Sequence, residues 1–137
     1  RLRLYKRDGE RNDLWVNACF KSTDLRGVAY DRTVRTEVHK FAVHEASFNQ
    51  RWLFPLKVPA QHTLMEFTLF DEDAVTGDDI VYCPKEMHLD EELKIAYERL
   101  REGDTEPVRL CKTIIFDDWV GKDDPVSCCA GCCRLGR

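Results

Sequence analysis

The sequence predicts an all-β fold, an antiparallel sandwich with one helix inserted near residues 89–101. Three observations carry this. Short stretches alternate apolar and polar residues, the period of a half-buried strand. Polar turns separate these stretches at short intervals, as in sandwiches rather than βαβ units. A single segment, LDEELKIAYERLR, changes to helical spacing.

Arg1 to Lys6, RLRLYK, reads as a first strand. Leu14 to Phe20, LWVNACF, places Leu14, Val16, Ala18 and Phe20 on one side of a second. Arg35 to Phe41 alternates less cleanly. Trp52 to Val58, WLFPLKV, is an apolar strand whose Pro55 puts it at an edge or a bulge. Thr63 to Phe70, TLMEFTLF, sets Leu64, Glu66, Thr68 and Phe70 against Met65, Phe67 and Leu69. Ile80 to Cys83 reads as a short strand stopped by Pro84. In the helical segment, Leu89, Leu93, Ala96 and Leu100 share a face. Acidic residues crowd its start and Arg99 and Arg101 its end, matching the helix dipole. Gly103 follows as a stop. Val108 to Phe116 reads as the last of about seven visible strands.

The chain has 137 residues, 43% hydrophobic and 34% charged, the profile of one compact domain with a core. A net charge of -4 gives no general attraction to nucleic acid. No apolar run approaches the ~20 residues of a membrane-spanning helix, and no signal peptide is visible. The start at Arg1, without Met, reads as a cut from a longer protein. Cys19, Cys83 and Cys111 sit in apolar runs, and the total of 7 cysteines is odd. That pattern suits a reducing compartment better than a disulfide framework. No Ser or Cys has an evident partner base and no glycine-rich phosphate loop occurs, so no enzymatic activity and no small-molecule substrate are expected.

The stretch LFDEDAVTGDDI concentrates carboxylates in one turn, where like charges repel. Asp71, Asp73 and Asp79 form a D-x-D-x5-D pattern between two strands. A hard cation such as calcium takes six to eight oxygens from carboxylates, carbonyls and water, and would remove that repulsion. One loop cannot enclose the ion. Asp8 and Asp13, flanking the turn DGERND, supply a second acidic loop.

The order of LWVNACF, RTEVHKFAVHEASFNQRWLFPLKVP and TLMEFTLFDEDAVTGDDIV resembles a C2 domain, the calcium-dependent phospholipid-binding sandwich; FDEDAVTGDDIV is most similar to the ferlin type. The resemblance covers residues 1–83 well and 108–116 loosely. It implies a C2-type eight-stranded sandwich over 1–116, followed by a Cys-rich segment, 117–137, that is a last strand or a linker. It also implies Ca²⁺ ligands at Asp8, Asp13, Asp71, Asp73 and Asp79, with further oxygens from Glu72 and Thr76. Val75 falls where the family places an apolar membrane tip, and Arg32, Arg35 and Lys40 near its basic strand. Glu45 and Ala46 replace the family's Asn-Pro, and Tyr82 replaces a glycine.

The expected function is therefore calcium-dependent binding of anionic phospholipid by a module of a larger trafficking or fusion protein, peripheral on the cytoplasmic face of membranes. The alternative is a calcium-independent, C2-like scaffold that holds a protein partner through its faces and the 89–101 helix. A third is the C2-like domain of a lipid kinase whose chemistry lies elsewhere. Cys128, Cys129, Cys132 and Cys133 leave three readings open: a zinc site, S-palmitoylation, or a linker with incidental thiols.

Overall fold

The computed structural model describes residues 2–3, 12–43, 45–72, 77–109 and 111–114. They form a mostly antiparallel β-fold with seven strands and one short helix. In chain order these are β1 (Leu2–Arg3), β2 (Asn12–Asp24), β3 (Ala29–Arg35), β4 (His39–Ala42), β5 (Glu45–Ala46), β6 (Ala60–Asp71), β7 (Asp79–His88) and α1 (Asp90–Arg101). β3, β2, β6 and β7 lie side by side in that order, and β4 pairs with the start of β2; β1 and β5 make a separate two-stranded ladder.

β2 is the central strand, paired with β3 and β4 along one edge and with β6 along the other, and its apolar run is buried at Trp15 and Cys19 as well as on the face of Leu14. Leu14 and Ala18 are fully buried, and Phe20 nearly so. Across the ladder, Asp71, Leu69, Phe67 and Met65 of β6 stand opposite Leu14, Val16, Ala18 and Phe20. Directly opposed residues project from one face of the sheet, so the period of two sets the core face and carries Asp71 onto it. Two apolar clusters result, one around Leu14, Leu69, Val81 and Tyr82 and the other around Ala18, Phe20 and Met65.

Asp24 closes the β2–β3 hairpin. Its carboxylate accepts the Arg26 and Val28 N–H groups, each at 2.9 Å. Gly27 takes the positive φ of 78° that this turn requires.

Four expectations differ from the structure. Residues 52–58 are not a strand. They run irregularly over the core face, yet Trp52, Phe54 and Leu56 are half-buried while the residues between them are exposed. Phe54 stacks on Phe20 at 4.9 Å. The apolar period is therefore real, but Pro55 contributes no N–H to a ladder. The stretch 35–41 is not one strand; β3 ends at Arg35 and β4 begins at His39. Pro84 does not stop β7, which runs on to His88. The register slips between Phe67 and Leu69, where two residues of β7, Cys83 and Pro84, oppose the single residue Thr68 of β6. Such a bulge, on a strand that is an edge among the described residues, accommodates a proline. Finally, residues 108–109 and 111–114 are irregular rather than a strand.

α1 appears where its spacing predicts it. Arg99 pairs with Asp104 past its end, Arg99 Nε donating to Oδ2 at 2.7 Å. The Glu106 N–H and then Arg99 hold the Asp104 carboxyl below the usual carboxylate range. Lys112 pairs with Glu92, lowering that carboxyl too, and donates to the His88 carbonyl at 3.2 Å. These contacts fasten 111–114 beside the helix.

Candidate functional site

Three of the predicted carboxylates, Asp13, Asp71 and Asp79, arrive at one end of the sheet on β2, β6 and β7. Asp71 and Asp79 are direct cross-strand partners. Asp71 is 5% exposed, and its Oδ1 accepts the Asp13 N–H at 2.8 Å. The Asp13 carbonyl accepts the Glu72 N–H at 2.7 Å. The Asp13 carboxylate accepts the Phe41 N–H from β4 at 2.9 Å. Both aspartates therefore hold backbone as well as charge; together they tie β2, β4 and β6 where the ladders end. Like charges placed directly opposite each other in a sheet destabilise it, and Asp71 and Asp79 hold such opposed positions.

The donors are hard oxygens, the type calcium takes. Among the described residues, however, no three His, Cys, Asp or Glu side chains form a group that could hold a metal ion. Asp8, Asp73, Val75, Thr76, Cys128, Cys129, Cys132 and Cys133 lie outside the described residues.

The predicted basic set is spread apart. Arg32 stands opposite Phe20 and Arg35 opposite Asn17, which places them on opposite faces of β3. Arg32 donates to the Leu53 carbonyl at 3.3 Å. The Arg35 guanidinium lies over the Trp15 ring at 5.4 Å, and Trp15 stacks on Phe70 at 4.3 Å. Lys40 is exposed on β4.

Sequence reasoning missed Phe41. Asn12 pairs with Ala42 and Leu14 with His39, so Lys40 and Phe41 together oppose the single residue Asp13. This is a β-bulge, and Phe41 takes its left-handed position with φ 59°. A non-glycine residue there costs about 1–3 kcal/mol. Phe41 is nevertheless 65% exposed. Nothing in the run HKFAV announces a bulge, because the signal is a mismatch of count between two strands distant in sequence.

Cys19 is no candidate nucleophile. Burial, and then its hydrogen bond to Asp31, push the thiol pKa up; Sγ donates to Asp31 Oδ1 at 2.9 Å. Reactivity follows thiolate and access, so Cys19 should alkylate at least about tenfold more slowly than exposed Cys111 near neutral pH. Peptide-resolved mass spectrometry checks this, and equal rates would refute it.

A cleft of about 670 Å³ opens between the end of β7, the start of α1 and residues 112–114, lined by Lys85, Met87, Glu92, Lys112 and Ile114 among others. Beyond it, Ile95 and Leu100 of α1 are more than half exposed. Among the described residues, no helix is long and apolar enough to cross a membrane. No family model, curated protein or solved structure matches this chain.

Proposed function

We propose that this chain is a C2-type eight-stranded sandwich that binds anionic phospholipid when calcium occupies its acidic end. It would act as a peripheral module on the cytoplasmic face of membranes, within a larger ferlin-like trafficking or fusion protein. The observation that supports this most is the direct opposition of Asp71 and Asp79, with Asp13 hydrogen-bonded to Asp71 at the same end.

In this reading Asp13, Asp71 and Asp79 supply carboxylates from three strands, and Asp8, Asp73, Glu72 and Thr76 add oxygens from the two loops. Bound calcium would cancel the repulsion and offer lipid phosphate its open coordination positions. Without it, the carboxylates repel an anionic surface. Arg32, Arg35 and Lys40 would add headgroup contacts, each worth about 1 kcal/mol near the surface, and Val75 an apolar tip.

Calcium titration by calorimetry tests the proposal, with the Asp71→Asn/Asp73→Asn double variant as control. Saturable heat is expected from the parent and none from the variant. No heat and no thermal stabilisation up to millimolar calcium would refute it.

A second reading is a calcium-independent docking module for a protein partner. It is favoured by the exposed apolar side chains Ile95 and Leu100 of α1. Partner binding that survives the double variant would support this second reading.

A further inference from the structure

Phe41 combines features that folding alone does not select. Its ring stands in water, on a backbone conformation that glycine adopts freely and a phenylalanine does not. Its neighbours define the strand edge: Ala42 is buried and Lys40 exposed. Bulges re-aim side chains next to functional sites, and this one is held by Asp13, whose carboxylate accepts the Phe41 N–H.

We infer that Phe41 is an apolar anchor that enters the interfacial layer of an anionic bilayer, with Lys40 meeting the headgroups. This rests on the phospholipid reading above. The occupant follows from charge and position. The exposed cation beside the ring complements anionic headgroups, and the bulge is joined through Asp13 to the end of the sheet proposed to face the membrane. The Asp13 link also means that whatever binds Asp13 acts directly on the segment that presents the ring.

Two variants test this. Phe41→Gly removes the ring and suits the left-handed backbone, so its melting temperature should equal or exceed the parent's. Its calcium-dependent sedimentation with phosphatidylcholine–phosphatidylserine vesicles should weaken at least about tenfold, the scale of burying one aromatic side chain. Calcium heat, measured on the same sample, should persist. Phe41→Trp should retain vesicle binding, and its emission, relative to the parent's, should shift to the blue on vesicle addition. If the parent sediments and Phe41→Gly sediments equally, with no Trp shift, the anchor is refuted and the phospholipid reading stands. If the parent binds calcium but not vesicles, or neither, the anchor falls together with the membrane reading.

Discussion

Leu69→Ala is expected to lower stability by about 3–4 kcal/mol. Leu69 has no solvent exposure and packs with Leu14, Val81 and Tyr82 in the cluster that joins β2, β6 and β7. Truncation loses the transfer energy of the removed methyl and methylene groups and leaves a cavity that rigid neighbouring strands cannot close. Domains of this kind are stable by only about 5–15 kcal/mol, so the loss is a large fraction of the whole. Urea denaturation measures it. Leu53→Ala, at 79% exposure, is the comparison, and should stay within about 0.5 kcal/mol of the parent. Equal losses at the two positions would show that the core lies elsewhere.

Asp71→Ala is expected to cost about 2–3 kcal/mol in calcium-free buffer, the scale of a hydrogen bond to a charged group with its donor left unpaired. The variant strands the Asp13 N–H that Asp71 Oδ1 accepts at 2.8 Å. Asp71→Asn keeps an acceptor of the same shape and removes one of two like charges on directly opposed residues. It should therefore cost less than about 1 kcal/mol. The contrast separates two roles of one carboxylate. If Asn is tolerated by the fold and abolishes calcium heat, its charge serves the ion and its oxygen serves the sheet. If Asn is as damaging as Ala, the charge itself is structural, and loss of calcium binding in that variant would say nothing about ligation.

The legible parts of this fold are those in which one strong period runs without interruption. LWVNACF and TLMEFTLF became the central ladder of β2 and β6, and the helical spacing after Leu89 became α1. The difficult parts all involve backbone hydrogen bonding, which apolar patterning does not report. WLFPLKV has a strand's period but lies over the core as irregular chain, because Pro55 lacks an N–H. The strand expected over Ile80 to Cys83 extends to His88 as β7, because a bulge opposite Thr68 lets it pass Pro84.

The candidate site divides along the same line. The strand period of two already carries Asp71 onto the face of Met65, Phe67 and Leu69. The chain order likewise puts Asp79 at the start of the following strand and Asp13 just before LWVNACF. Strand pairing alone sets Asp71 directly opposite Asp79 and lets it accept the Asp13 amide. Pairing also turns Arg32 and Arg35 to opposite sides and gives β4 one residue more than β2 can match, leaving Phe41 exposed. The cause is register. Which residue opposes which is set by pairing between distant strands, where loops, bulges and core packing compete. No local pattern in either strand contains that information.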